Sequence, residues 1–574
     1  MKTNNKLFIT ILAGSMIFGA CKESFLEIPP QGVYDEASLS NKKGLNGMLI
    51  NAYATLDGQE GTWYAGASNW VWGSVAGGDA YKGSEESDQV DVNPVVRFVH
   101  QPSNPIILNK WNGTYDGIRQ ANLVLRILPN VTDITAGEAT QIGAEARFLR
   151  GHHHFEGKKM WKNIPYVDET VTDFKIPNTS GADYVNIWPQ IEADLKYAYD
   201  NLDETKPNAG RINKWGAAAY LAKAYMFQKK FTEAKALYDL IIANGKTTKG
   251  DKYGLMDNYG GNFRVTSENN KETIFAIQSS YGDGSNTNGN YDNALNFPHN
   301  SGPKPGGCCG FFQPSQSFVN SFKTDAGGLP TPTTFNATNV TSDELVTSAA
   351  PFVPYAGTLD PRLDWSVGRR SVPYYDWGVH PGRDWIRDVI FGGPYSPKKN
   401  TYYRADQGTT AGVVGWGWAN TALNYTIMRF ADVLLMAAEA EIEVGSLATA
   451  TNYVNMVRTR AKNSPVLNGA VDAANYLVNT YPVFGSQAAG RTAVRFERKL
   501  ELGMEGHRFF DLVRWEIADT EINPYLTIEG TRRPGPLAGA TFVKGKHEYF
   551  PIPDFVISQS FKDGAATIKQ NPGY

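Results

Sequence analysis

Cysteine, charge of one sign and long apolar runs are all scarce in this sequence. It has only three cysteines in 574 residues, too few for a fold held together by disulfides. Its 55 Lys and Arg residues are balanced by 58 Asp and Glu residues, so the formal net charge is −3. Because a nucleic-acid-binding surface needs a clustered basic excess, this balance argues against a nucleic-acid partner. No apolar run has the roughly 20 residues that cross a bilayer.

Catalytic and metal-binding motifs are missing as well. The chain contains neither HExxH, a zinc-peptidase pattern, nor GxSxG, a pattern of serine hydrolases. The run His152–His154 cannot hold one metal ion, because consecutive helical residues point about 100° apart. Glycoside hydrolysis needs two placed carboxyl groups, and no pattern nominates a pair. We therefore expect no metal and no cofactor, whereas the motifs alone leave a pair of catalytic carboxyl groups open.

Glycine, proline and aromatic residues are abundant instead. The chain has 57 Gly, 31 Pro, 13 Trp, 29 Tyr and 28 Phe residues, whereas charged residues make up 20%, below the roughly 25% of average proteins. Hydrophobic residues make up 41%, which excludes a chain that is disordered throughout. This composition predicts a loop-rich protein whose surface uses aromatic rings for contact.

The first 20 residues have the composition of a secretory signal. Lys2 and Lys6 precede an apolar run over residues 7–18 that is too short to span a bilayer. Together with Cys21, the segment looks like a bacterial lipoprotein signal, in which the cysteine is lipidated and becomes the mature N-terminus. We expect residues 1–20 to be removed and the protein to be anchored through Cys21. The alternative is an ordinary signal followed by an incidental cysteine.

Helical periodicity dominates the first half and the end of the remaining chain. Residues 213–229 and 231–243 predict two helices joined by a short turn, and residues 428–443 and 447–461 predict a second pair. Both pairs resemble tetratricopeptide hairpins, which must stack on neighbours to bury their apolar faces. Further helices are predicted within residues 39–56, 105–128, 136–161 and 184–202.

The middle of the chain has a different pattern. Residues 245–424 are rich in Gly, Pro, Asn and aromatic residues, with short extended runs such as 272–278. Such long segments are usually functional or disordered, and the aromatic content argues for order. We predict a mostly α fold with one domain over residues 21–574. In it, a loop-rich part (245–424) is carried by an N-terminal helical part (21–244) and a C-terminal one (425–574).

Six segments carry recognisable motifs. They are ERKLELGMEGHRFFDLVRW (497–515), YFPIP (549–553), QNPGY (570–574), RFLRGHHHFEGKKMWKNIPYV (147–167), LDPR (359–362) and RFADVLLMAAEA (429–440). Together they resemble the SusD/RagB family of outer-membrane nutrient-binding lipoproteins. The resemblance implies a helical scaffold of tetratricopeptide-like hairpins with a loop-rich ligand face. It also implies a cell-surface lid on a SusC-like, TonB-dependent transporter, which binds oligosaccharides, or peptides in some relatives, without catalysis.

The motif at 497–515 carries charges that invite a catalytic interpretation. Its carboxylates (Glu497, Glu501, Glu505, Asp511) and arginines (Arg498, Arg508, Arg514) recur at spacings of three and four, which brings opposite charges together on a helix. Such pairs are more often structural than catalytic. We expect them to pair with each other and to lock the last helices onto the scaffold through bidentate hydrogen bonds.

Residues 62–83 are the first candidate ligand site. A sugar ring offers an apolar C–H face that stacks on an aromatic ring, and its hydroxyls bind polar side chains. The segment sets rings and polar groups among glycines, and its candidate contacts are Asn69, Trp70, Trp72, Asp79, Tyr81 and Lys82. We expect one or two of Trp70, Trp72 and Tyr81 to be exposed. The alternative is that these rings pin a long loop to the scaffold.

Two further segments are candidates. Residues 291–312 contain Tyr291 and the adjacent Cys308 and Cys309, which form either a vicinal disulfide or a pair of free thiols. Residues 374–404 contain the other candidate contacts, Trp377, Arg383 and Tyr395. The sequence names no particular glycan. A peptide-binding relative, a secreted glycan hydrolase and a protein-interaction scaffold remain as alternative functions.

Overall fold

The computed structural model describes residues 36–574, except 59–61, 174, 286 and 416. The predicted signal peptide, residues 1–20, and the predicted lipidation site, Cys21, lie outside the described residues. Within the described part, no helix combines the length and the apolar character that crossing a membrane requires.

The scaffold is helical, as the sequence predicts. The longer helices are α1 (Lys42–Ala54), α2 (Pro105–Ile127), α3 (Ala136–Trp161), α4 (Trp188–Asn201), α5 (Lys214–Phe227), α6 (Phe231–Asn244), α7 (Phe430–Val444), α8 (Leu447–Lys462), α9 (Gln487–Leu502), α10 (Arg508–Arg514) and α11 (Ala518–Arg532). Short helices cover Glu36–Leu39, Asn93–Val96, Gln316–Asn320, Arg362–Ser366, Val389–Gly392 and Asp554–Gln559. The mostly α fold class is confirmed, and each helix predicted from periodicity is present with small shifts at its ends.

Local side chains fix where these helices begin. At α3, the Thr135 hydroxyl accepts the backbone N–H of Glu138 at 3.2 Å, and the Glu138 carboxylate accepts the backbone N–H of Thr135 at 2.9 Å. At α5, the Asn213 side chain accepts the backbone N–H of Gly216 at 2.9 Å. Both arrangements satisfy backbone donors that have no partner inside the helix.

The helices pack on one another in chain order. α2 contacts α3, α3 contacts α4, α4 contacts α5, and α5 contacts α6. The stack then continues across the loop-rich part, because α6 packs against α7, which also contacts α8 and α9. Ala217, Ala218 and Ala222 of α5 are fully buried and allow close approach of its neighbours. The two predicted hairpins therefore stack, as isolated hairpins cannot bury their apolar faces.

Two strand pairs organise the loop-rich part. Strand β1 (Thr273–Ile277) pairs antiparallel with β4 (Tyr425–Arg429). The chain therefore leaves the helical scaffold along β1 and returns to it along the neighbouring strand β4. Strands β2 (Ala411–Val414) and β3 (Trp418–Thr421) form an antiparallel hairpin. Two residues of this hairpin, Ala411 and Ala419, belong to a small apolar cluster with Phe297 and Tyr402. Trp377 packs against this cluster.

A buried network of charges joins the loop-rich part to the last helices. The Glu501 carboxylate accepts hydrogen bonds from Arg362, Arg429 and Arg460, and all four side chains are at most 4% exposed. Arg429 also donates to Glu505 at 2.8 Å. Burial alone would raise the pKa of Glu501, but the three guanidinium groups together hold it well below its usual range.

The charged residues of the 497–515 motif therefore pair mostly with residues of distant segments. The expectation that they pair with each other is only partly correct. Arg498 and Arg514 do reach Asp511 within the motif, at 2.9 and 2.8 Å. Glu497, however, binds Arg362 at 2.7 Å and Arg458 at 2.9 Å. These contacts fasten the last helices to the scaffold, which is the structural role expected of them.

Replacing Glu501 with Gln should lower the free energy of unfolding by about 3–5 kcal/mol, because three buried guanidinium groups lose a shared carboxylate. Urea-induced unfolding followed by circular dichroism measures the loss. Glu443→Gln is the control, since the partner of Glu443, Arg491, has a side chain that is 37% exposed; it should cost less than about 1 kcal/mol. Equal losses in the two variants would contradict the special role of the buried network.

Candidate ligand-binding cleft

A cleft of about 490 Å³ opens between α1, the loop before α5, and the segment that follows β1. This volume lies within the roughly 300–1,000 Å³ of small-ligand pockets. Its apolar lining includes Ile50, Tyr53, Ile277 and Tyr291, and its polar lining includes Asp57, Asn208, Arg211, Gln278 and Asn288. The cleft thus combines aromatic and aliphatic surface with amide and guanidinium groups.

An aromatic pair lies at one side of the cleft. The rings of Tyr291 and Trp63 are stacked, with centroids 5.9 Å apart and planes 30° apart. Tyr291 lines the cleft with a side chain that is only 7% exposed, so the half-buried Trp63 offers the larger part of the aromatic surface. Tyr291 is the one candidate contact from the sequence that lines this cleft.

Buried donors fix the backbone that carries Trp63. The indole N–H of Trp70 donates to the Trp63 carbonyl at 2.7 Å, and the indole N–H of Trp72 donates to the Tyr64 carbonyl at 2.7 Å. The Lys110 ammonium donates to the Gly66 carbonyl at 2.7 Å. Trp63 is therefore held in place before any ligand binds, which lowers the entropy cost of binding.

Two aspartates connect Tyr291 to its surroundings. The Asp292 carboxylate accepts the backbone N–H of Gly66 at 3.2 Å, and Asp57 accepts the backbone N–H of Tyr291 at 3.3 Å. Burial raises the pKa of Asp292 to about 6. Burial, together with the nearby Asp292, raises the pKa of Asp57 to about 8. This shift favours the neutral form of Asp57 at pH 7; its Oδ1 is buried without a hydrogen-bond partner among the described residues.

The opposite wall is also held by polar contacts. Arg211 lies over the ring of Tyr53, 5.1 Å from its centroid. Both side chains donate to the Glu145 carboxylate, Arg211 at 2.9 Å and Tyr53 at 2.8 Å. The Gln278 carbonyl oxygen accepts a hydrogen bond from Asn424 at 3.0 Å. These partners orient the polar groups that line the cleft.

The expectation of exposed rings in residues 62–83 is wrong. Trp70, Trp72 and Tyr81 are at most 2% exposed, so none of them can stack on a ligand. Trp70 and Trp72 pin the Trp63 backbone, and the Tyr81 hydroxyl donates to Glu529 of α11. This outcome matches the alternative interpretation, in which the rings attach a long loop to the scaffold.

The polar candidates of the same segment are buried too. Asn69 donates to Glu156 at 2.9 Å, the Asp79 carboxylate accepts the backbone N–H of Met504 at 3.2 Å, and Lys82 donates to a backbone carbonyl at 2.6 Å. Gly73 lies directly against the backbone of Gly506, where a Cβ atom would clash. The segment therefore packs against the C-terminal motif, and its polar groups serve that packing.

The remaining candidates lie outside the cleft. Cys308 and Cys309 are joined as a vicinal disulfide, with Cys308 half-buried and Cys309 buried. Trp377 is half-buried and Arg383 is exposed. Tyr395 is 1% exposed, so the expectation of ligand contact there is also wrong; its hydroxyl donates to Gln316 at 2.9 Å. In the described part of the chain, no His, Cys, Asp or Glu side chains are grouped to hold a metal.

Sequence reasoning missed most of the residues that line the cleft. Tyr53, Asp57, Asn208, Arg211 and Gln278 come from separate segments, and no spacing along the chain connects them. The sequence feature that could have pointed to the cleft is Trp63, which lies in the candidate segment 62–83 but is not among the candidate contacts. Its exposure relative to Trp70 and Trp72 depends on the packing of the whole segment.

A family profile described as "SusD family" matches residues 271–574, more than half of the chain. The chain belongs to the SusD family. A second profile, described as "Starch-binding associating with outer membrane", matches residues 25–226. The family predicted from the sequence motifs is thus confirmed, and matches to SusD-type profiles cover both the N-terminal helices and the C-terminal motif.

SusD-family relatives share moderate identity with this chain. A SusD-like protein from Bacteroides ovatus is 23% identical over 97% of this chain and 93% of its own length. SusD-like protein P25 from Formosa agariphila is 26% identical over 72% of this chain and 70% of its own length. Among solved structures, the "Laminarin binding SusD-like protein" is 24% identical, with a TM-score of 0.67 over 93% of this chain and 100% of that one. This last similarity establishes the fold.

Asp57 should make the stability of the protein depend on pH. Its pKa is about 8 in the folded chain and about 4 in an unfolded one, so the folded chain holds this proton more tightly. The stabilising contribution is present at low pH and is lost as the pH rises from about 4 to about 8. Relative to Asp57→Asn, the unaltered protein should lose up to about 5 kcal/mol of unfolding free energy across that interval, about 1.4 kcal/mol for each unit of pKa shift. Urea unfolding at each pH measures the two stabilities. If the unfolding free energies of the unaltered protein and of Asp57→Asn change equally with pH, the raised pKa of Asp57 is refuted.

Proposed function

We propose that this SusD-family protein binds a glycan in the cleft beside Tyr291 and Trp63. The observation that carries the proposal is the stacked pair of rings next to a rim of amide and guanidinium groups. Sugar rings have apolar C–H faces that pack on aromatic rings, and hydroxyls that exchange hydrogen bonds with Asn, Gln, Asp and Arg. Asn208, Gln278 and Arg211 provide such groups around the cleft.

The first ligand to test is a laminarin-type glucan. The "Laminarin binding SusD-like protein" has the same fold as this chain and covers nearly all of it. A neutral glucan also suits a cleft whose one lining carboxyl group among the described residues, Asp57, keeps its proton at neutral pH. Starch is the second ligand to test, because the N-terminal profile is described as starch-binding.

The protein is proposed to bind the glycan without cleaving it. Glycoside hydrolysis uses two carboxyl groups that flank the scissile bond, and among the described lining residues Asp57 is the one carboxylic acid. The neighbouring Asp292 is 1% exposed and does not line the cleft. A single carboxyl group lacks the second carboxylate that this chemistry requires.

Anchoring and delivery complete the proposal. We infer that lipidated Cys21 tethers the protein to the outer membrane at the cell surface, and that the bound glycan passes to a SusC-like, TonB-dependent transporter. The description of the N-terminal profile, which associates the family with the outer membrane, supports this location. Co-purification of a TonB-dependent barrel with the tagged protein tests the partner.

Native affinity electrophoresis through gels that contain laminarin or starch tests glycan binding. The unaltered protein should be retarded by laminarin, whereas Trp63→Ala and Tyr291→Ala should each weaken binding about tenfold or more, because each loses a ring worth about 1.4 kcal/mol or more of stacking and burial. Phe561→Ala is the control, since Phe561 is an aromatic residue 52% exposed and is not among the residues that line the cleft.

Three other results would change the proposal. Retardation that persists in both cleft variants would move the site to one of the other candidate segments, 291–312 or 374–404, and Trp377→Ala is the next variant. Retardation lost equally in Phe561→Ala would show that these losses do not report on the cleft. Absence of retardation by any glycan, combined with binding of peptides, would favour the peptide-binding alternative.

A further inference from the structure

A second groove lies where α3 ends, against α4, α5 and α10. Its deeper part has a volume of about 280 Å³ and its outer part about 400 Å³. Both parts are lined by Lys162, Phe227, Val513, Arg514 and Tyr549, so they form one continuous depression. The groove shares no lining residue with the cleft beside Tyr291.

Positive charge dominates the deeper part of the groove. Lys158, Lys159, Lys162 and Arg514 line it, and no acidic side chain is among its described lining residues. The outer part is mixed in charge, because Glu516, Asp519 and Glu548 line it beside lysines. Two of these cations already have buried partners, because Lys159 binds Glu156 at 2.6 Å and Arg514 binds Glu439 at 2.6 Å. Lys158 and Lys162 remain to be accounted for.

Lys158 is a mostly buried lysine whose ammonium has no hydrogen-bonding partner among the described residues. Its side chain is 8% exposed, and within the described part of the chain its ammonium makes neither a hydrogen bond nor an ion pair. The nearest favourable group is the ring of Trp188, whose centroid is 6.0 Å away, at the outer limit of a cation–π contact. Burial and the neighbouring Lys162 lower the pKa of Lys158 to about 8. Because Lys158 lines the groove and most of its side chain is withdrawn from water, its ammonium gains from an anion bound there.

Aromatic rings form the walls around these lysines. Trp188 and Phe227 are half-buried, Phe510 is buried, and the ring of Tyr549 lies 5.1 Å from the Lys162 ammonium. Lysines at a helix C-terminus are often explained by the helix dipole alone. That explanation does not account for the lack of carboxylates in the deeper part or for the four rings that surround it.

We propose that this groove is a second saccharide site, selective for a sugar unit that bears an oxyanion, either a carboxylate or a sulfate. The oxyanion binds between Lys158 and Lys162, and the sugar ring packs on Trp188 or Tyr549. The inference rests on the proposed function only in that its ligand is a saccharide. It adds a charge preference that the cleft, with its neutral Asp57, does not provide.

Calorimetric titration of the purified protein tests the groove with three ligands of equal length: an oligogalacturonide, a sulfated galacto-oligosaccharide and a neutral galacto-oligosaccharide. At least one acidic ligand should bind tenfold or more tightly than the neutral one. Lys158→Met, which keeps the aliphatic stem but removes the charge, should weaken that binding at least tenfold. Lys162→Met, at an exposed position, is a second variant that should have the same effect.

Lys196→Met is the matched control. It removes the same charge from α4, where the Lys196 side chain is 59% exposed and pairs with Asp200 at 2.7 Å, and it should leave binding of the acidic ligand unchanged. The proposal is overturned if neither acidic ligand binds more tightly than the neutral one, if binding survives in both groove variants, or if Lys196→Met weakens it equally. If just one of the two acidic ligands binds, that result identifies whether the groove recognises a carboxylate or a sulfate.

Laminarin binding separates this inference from the proposed function. The groove variants should bind laminarin as the unaltered protein does, and Tyr291→Ala should keep its affinity for the acidic ligand. A protein that binds an acidic sugar through Lys158 but no neutral glucan would disprove the cleft and leave the groove standing.

Discussion

The shared burial of Arg429, Glu501 and Glu505 is the interaction on which the rest of the structure depends. Arg429 ends β4, the two glutamates lie at and just beyond the end of α9, and Arg362 and Arg460 join them from two other segments. Each charge is withdrawn from water, where it would otherwise be well solvated. The network is therefore favourable only when all of its members are in place, because a missing partner leaves an uncompensated buried charge. This requirement couples the loop-rich part to the last helices.

The same network sets the geometry of the cleft. Glu272, which binds Arg429 at 2.8 Å, immediately precedes β1, and its carbonyl accepts the first N–H of α7 at 2.7 Å. Strand β1 then leads directly into Gln278 and, further along, into Tyr291. The loop that lines the cleft thus begins at a backbone fixed by buried charge. Tyr291 begins a single 3-10 turn (Tyr291–Asn293) and Trp63 lies in a loop. Asp57, Asp292 and Lys110 hold the backbone on both sides of this ring pair.

The two binding surfaces that we propose differ mainly in charge. The cleft offers rings and amides beside Asp57, whose pKa is raised by burial, whereas the groove offers rings with Lys158 and Lys162, which have no ion-pair partner among the described residues. Both arise from the same helical stack, the cleft between α1 and the loop before α5, and the groove at the ends of α3 and α5. A stack of helical hairpins leaves such depressions at its edges, and the side chains there set the chemistry of the ligand without a change of scaffold.

The sequence by itself determined the helices, the family and the structural role of the motif charges. These depend on periodicity, capping residues and short motifs, which are local properties of the chain. It could not decide which of the rings at 63, 70, 72 and 81 would be exposed, because burial depends on Gly506, Glu529 and other residues more than 400 positions away. For the same reason it missed Tyr53, Arg211 and Gln278, which meet only when separate segments pack together. Tertiary structure alone decided the composition of the cleft, since a ligand surface is assembled from side chains that have no fixed spacing in the sequence.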